Sequence, residues 1–165
     1  MTIELPLPDA SDTTRLGTAL ARRTPRSAPQ ALIVYLMGTL GAGKTTLARG
    51  LLRALGVSGT VRSPSYTLLE IYELGERRVL HLDLFRLNGP EELEALGVRD
   101  ELAPGAMLLI EWPERGTTAL AAADVQVQLS TVGEGRSARI EGVSTVGQAW
   151  IAAMRGATIP ESNRI

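Results

Sequence analysis

An α/β fold, built as one domain with a mixed, partly parallel sheet flanked by helices, is predicted by three features of this chain. The continuous apolar run ALIVYLM (31–37) opens without a spacer onto the glycine-rich GTLGAGKTT (38–46). Directly beyond it, Leu47, Leu51, Leu52 and Leu55 recur at helical spacing. A second fully apolar run, AMLLIEW (106–112), stops on an acid, Glu111, with Trp112 beside it. Runs without alternation are what strands buried on both faces require, and such strands belong to parallel sheets covered by helices.

The elements follow in order. TIELPLP at the amino end reads as a short strand, and DASDTTRLGTALARR as a helix capped by Ser11 or Asp12 with Leu16 and Leu20 on one face. RTPRSAPQ, with two prolines, is a loop. After the helix that starts at Lys44, Gly56 is placed to end it. VRSPSYT (61–67) is a loop, and the runs TLLEIYEL and RRVLHLDLFRL flank Gly75 as an antiparallel pair. PEELEALGVRDEL (90–102) has the proline start and early acids of a short helix. DVQVQLS and RSARIEGV around GEG form a hairpin, and STVGQAWIAAM a final helix. Residues 1–156 are expected to be one domain and 157–165 a flexible tail without periodicity.

Composition narrows the chemistry. The net charge of −1 offers no broad basic surface for nucleic acid or an anionic membrane. The chain has no cysteine, which excludes disulfides, thiolate nucleophiles and cysteine-based zinc sites. MTIELPLPDASD has neither the basic nor the apolar segment of a leader, and no apolar run approaches membrane-spanning length, so a soluble cytoplasmic protein is expected. The seventeen basic residues include a single lysine, Lys44. A compact ammonium cannot be exchanged for a planar guanidinium where a point charge must enter a tight loop, so its position is informative.

That position is the lysine of a phosphate-binding loop. GTLGAGKT matches G-x-x-x-x-G-K-[ST] without a gap, between the expected strand and helix. Backbone N–H groups of Gly38, Thr39, Leu40, Gly41, Ala42, Gly43, Lys44, Thr45 and Thr46 are placed to cradle phosphate oxygens, Lys44 to reach the terminal phosphates, and the Thr45 hydroxyl to bind Mg²⁺. Such a site needs an acid at a neighbouring strand end. Asp83 lies in VLHLDLF, where polar and apolar residues partly alternate, as on a strand with one face less buried; Glu111 ends the fully apolar run and is favoured for the metal. Asp83 is then free to orient the attacking water or contact the metal shell. His81 is on the same face as Asp83 and acts as a base or packs, with packing favoured because phosphoryl transfer works by positioning. Trp112 stacks on a base, contacts a partner or packs under Pro113. Ser63, Ser65 and Thr67 lie where nucleotide switches place hydroxyls, or in an ordinary hydroxyl-rich turn.

GTLGAGKTT, VRSPSYTLLEIYE, HLDLFRL, PEELEALGVRD and LLIEWPERG, in that order, resemble the bacterial ATPase subunit of tRNA threonylcarbamoyladenosine biosynthesis, over roughly residues 5 to 155. The resemblance implies ATP and Mg²⁺ as cofactors, with Thr45 and Glu111 holding the metal, Asp83 needed for hydrolysis and Trp112 functionally sensitive. It implies an adenine pocket with contributions from Thr13 and Arg136. It also implies partners, the threonylcarbamoyl transferase subunit and its inactive paralogue, which modify adenosine 37 of ANN-decoding tRNAs; this subunit's ATP turnover resets or licenses them and meets tRNA only indirectly. Phe85 and Ser65 stand where the family often has tyrosine and threonine. A small-molecule kinase uses the same loop, and a non-hydrolysing ATP-gated adaptor is the non-enzymatic alternative. A GTPase is excluded, since Asn-Lys-x-Asp needs a second lysine.

Overall fold

The computed structural model describes residues 1–26, 28–116 and 119–155, so the tail boundary expected at 156/157 lies outside the described residues. In chain order the elements are β1 (Thr2–Leu7), α1 (Ala10–Arg22), β2 (Leu32–Met37), α2 (Lys44–Leu55), β3 (Leu69–Leu74), β4 (Arg77–Asp83), α3 (Pro90–Ala95), β5 (Met107–Glu111), β6 (Val125–Val132), β7 (Gly135–Gly142) and α4 (Thr145–Met154). The strands make one mixed sheet in the order β1-β7-β6-β2-β5-β4-β3. β6, β2, β5 and β4 run parallel, while β7 and β1 on one side and β3 on the other pair antiparallel. The α/β class and the partly parallel sheet are therefore as expected.

Strand alternation distributes the core between two faces. Val34 and Leu36 of β2, with Met107 and Leu109 of β5, join the cluster under α1, α2 and α4; Ile33, Leu108 and Ile110 join the opposite cluster, which includes Leu93 of α3. In β4, Val79 belongs to the first cluster, and Leu80 and Leu82 to the second. Counting on by two puts His81, Asp83 and Glu111 on the same side as α2, the helix that leaves the glycine-rich loop.

Three sequence expectations need correction. α1 is capped by Asp9, whose carboxylate accepts the Asp12 N–H at 2.9 Å while Asp12 reaches back to the Asp9 N–H at 3.2 Å. The reciprocal capping box starts the helix earlier than a cap at Ser11 or Asp12 allows. Val79 to Asp83 are all buried, so β4 has no less-buried face: β3 and β5 cover its edges and both clusters its faces. The helix expected over 90–102 stops at Ala95; Gly97 enters the left-handed region and a 3₁₀ turn, Val98–Glu101, completes the segment.

Candidate nucleotide site

The loop after β2 is shaped by its glycines. Gly38 has φ 139°, and a Cβ there would sit 2.4 Å from the Leu129 carbonyl oxygen of β6, so no other residue lets the loop leave the sheet at this point. Gly43, also left-handed, begins α2 and presents that helix's free N–H groups to the cleft. The site lies beyond the carboxyl ends of parallel strands, where open α/β sheets bind ligands. Registers align those ends: Leu36 of β2 pairs with Glu111 of β5, and Glu111 with Asp83 of β4. The Leu84 N–H donates to the Glu111 carbonyl and the Trp112 N–H to that of Leu36, holding the chain ends together.

The side chains converge on the first turn of α2. The Thr45 hydroxyl donates to Glu111 Oε2 at 2.8 Å, and Glu111 is 1% exposed. Lys44 Nζ donates to the carbonyl oxygens of Gly38, 2.6 Å, and Thr39, 2.9 Å, and lies 3.7 Å from the centre of the Trp112 ring. Burial pushes the Lys44 ammonium below the usual lysine range, against the opposing pull of Glu111, Glu114 and Asp83. Asp83 accepts from the Ser63 hydroxyl through Oδ2 and from the Phe85 N–H, 3.0 Å, through Oδ1. Of the three hydroxyl candidates in the 62–67 loop, Ser63 is the one bonded to a site carboxylate. Leu68, at φ 63°, anchors this loop: its N–H donates to the Pro64 carbonyl and its own carbonyl accepts from Asp83.

The remaining expected residues are also near the loop. Thr13 is fully buried, and its Cγ2 is 3.3 Å from where a Cβ of Gly43 would be; the Arg136 side chain approaches the same point to 3.4 Å. Arg136 also donates to the Gly41 carbonyl at 3.5 Å. Thr46 belongs to the first turn of α2, Ala42 is buried, and Leu40 is exposed at the loop tip. Trp112 does not simply pack beneath Pro113: it adopts a left-handed backbone, φ 58°, that turns its ring onto Lys44 and to 4.9 Å from the Phe85 ring. His81 does more than pack, because its Nε2 is 2.9 Å from Glu111 Oε1. The available signal was its position two residues before Asp83 on one strand face; the missing information was which strand lies alongside.

Two hard oxygen donors, the Thr45 hydroxyl and the Glu111 carboxylate, stand side by side at the loop. Among the described residues no group of three or more His, Cys, Asp or Glu side chains is assembled to hold a metal alone. That donor set fits Mg²⁺, which takes one or two protein oxygens and completes its shell with water and phosphate.

Against this geometry, a family profile described as "Threonylcarbamoyl adenosine biosynthesis protein TsaE" matches residues 7–139. The chain belongs to the TsaE family. Its TsaE-family relatives include the tRNA threonylcarbamoyladenosine biosynthesis protein TsaE of Haemophilus influenzae, 43% identical over 75% of this chain and 78% of that one. The protein of the same description from Synechocystis is 40% identical over 68% and 71%, and that from Treponema pallidum 32% identical over 76% and 90%. The crystal structure of Bacillus subtilus YdiB matches with a TM-score of 0.74 over 94% of this chain and 95% of that one; at 20% identity this likeness bears on the fold alone. This TsaE-family chain thus belongs to tRNA threonylcarbamoyladenosine biosynthesis, and among its described residues no helix is long and apolar enough to cross a membrane.

Proposed function

We propose that this chain is a Mg²⁺-dependent ATPase subunit whose turnover resets or licenses the threonylcarbamoyl transferase subunit and its inactive paralogue in the cytoplasm. The observation that carries the reading is the direct bond from Thr45 to Glu111 at the start of α2, beside the Lys44 ammonium. Thr45 and Glu111 would hold Mg²⁺, which when bound supplies charge neutralisation between phosphate oxygens. The loop N–H groups and Lys44 take the phosphates; Lys44 reaches them by leaving the Gly38 and Thr39 carbonyls. Asp83, held by Ser63 and the Phe85 N–H, orients water toward the terminal phosphate. Thr13 and Arg136, which meet at Gly43, border the nucleoside end.

The test is steady-state ATP hydrolysis by the purified chain, alone and with the transferase pair. A rise on adding the pair, absent in Lys44→Ala, supports a partner-gated ATPase. No turnover in either condition removes the hydrolase reading and leaves an adaptor or a kinase, which a screen of hydroxyl acceptors separates. Glu111→Ala is expected to lose Mg²⁺-dependent turnover while keeping the fold, and unchanged turnover removes Glu111 from the mechanism.

A further inference from the structure

His81 and Glu111 form a pair of polar side chains sealed from solvent at 0% and 2% exposure. They reach each other because β4 and β5 are parallel neighbours with Asp83 opposite Glu111, so His81 lies on the same sheet face beneath both acids. Each Glu111 oxygen has its own partner: Oε1 faces His81 Nε2 and Oε2 faces the Thr45 hydroxyl. A carboxylate oxygen accepts, so Nε2 is the donor. Nδ1 is buried with no partner, which makes Glu111 the one polar contact of the ring among the described residues.

We propose that His81 is a positioning residue that holds the Glu111 carboxylate in the orientation presenting Oε2 to Thr45, the hydroxyl with which it would hold Mg²⁺. Rotating the carboxylate away from Thr45 strands the His81 donor in a space water does not reach, so the bond opposes that rotation. His81 touches neither metal nor nucleotide in this scheme; it acts through Glu111 alone, as outer partners of metal ligands do. The inference rests on the assignment of Thr45 and Glu111 to Mg²⁺.

The experiment uses the full chain and a methylanthraniloyl-ATP probe, titrated with MgCl₂ and, separately, measured in EDTA. His81→Leu, which keeps bulk and removes the donor, should raise the Mg²⁺ concentration for half-maximal probe tightening by about 10- to 100-fold. Its affinity in EDTA should stay within about twofold of wild type, since the loop N–H groups and Lys44 are untouched. His81→Gln, whose amide nitrogen reaches about as far as Nε2, should recover most of the Mg²⁺ response. If His81→Leu does not fold, His81→Asn replaces it, since its shorter amide falls short of Oε1 and should shift the curve in the same direction.

A wild-type Mg²⁺ curve in the donor-free or shortened variant, alongside a shifted curve in Glu111→Gln, overturns the positioning role and leaves the metal site intact. An unshifted curve in Glu111→Gln overturns the metal assignment itself and the proposal with it. Equal weakening with Mg²⁺ and in EDTA reduces His81 to a packing residue.

Discussion

Replacing Gly50 of α2 by alanine sets two effects of opposite sign against each other, and the structure decides between them. In a free helix the change stabilises by about 1 kcal/mol, because alanine has less backbone freedom to lose. Here α1 crosses α2 with backbone against backbone. A Cβ at Gly50 would sit 2.3 Å from the Thr14 carbonyl oxygen, and one at Gly17 would sit 2.2 Å from that of Leu47; ordinary contact begins at 3.4 Å. Main chain cannot rotate aside as a side chain can, so the helices must part by about 1 Å over the crossing. Overpacking of this kind costs about 1–3 kcal/mol, and a clash with rigid backbone belongs at the upper end. The clash therefore wins by about 2 kcal/mol, which for a domain of this size lowers Tm by about 4–8 °C. Thermal unfolding followed by circular dichroism measures it. On the proposed function, affinity for ATP should fall as well, because Thr13 on α1 abuts Gly43 of the glycine-rich loop. A Tm at or above wild type refutes the reasoning: the two helices would then separate freely, and their contact would not be holding the loop.

Other predictions concern the cleft. Asp83→Asn keeps the shape and removes the charge that faces water, so turnover should drop by about 10²-fold or more while ATP affinity changes little; equal losses in both would assign Asp83 to binding. Trp112 emission should change when ATP and Mg²⁺ draw Lys44 off the indole, whereas Trp150, buried and bonded to the Leu20 carbonyl, should be silent. The signal should persist in Trp150→Phe and vanish in Trp112→Phe, and the reverse pattern would show that Lys44 does not move. Burial holds the folded-state pKa of Lys44 below the ordinary 10.5. Between those two values the unfolded chain binds more protons than the folded one, so the unfavourable contribution of Lys44 fades as pH rises through that window. The Tm of wild type relative to Lys44→Met should therefore improve as pH rises toward 10.5, and a constant difference would mean that the ammonium is not desolvated.

The glycine-rich turn between β2 and α2 is legible because everything that specifies its shape is contiguous: an apolar strand, glycines where the chain must turn left-handed, one lysine and a hydroxyl at a helix start. The same local logic favours Glu111 over Asp83 for the metal, since an unbroken apolar run marks a central strand, and β5 does lie beside β2. The burial of β4 departs from its sequence pattern because alternation reports which residues point each way and cannot report what covers them; β3, β5 and both core clusters do. The contacts of Lys44 with Trp112, His81 with Glu111 and Ser63 with Asp83 span 20 to 68 residues, and each exists only after parallel strands align their ends. The close crossing of α1 and α2 is of the same kind, since a glycine in a helix reads as a weakness until a second backbone is seen to need its space. Short-range backbone geometry is encoded by neighbouring residues, whereas the partners of a buried polar group are chosen by sheet order and register.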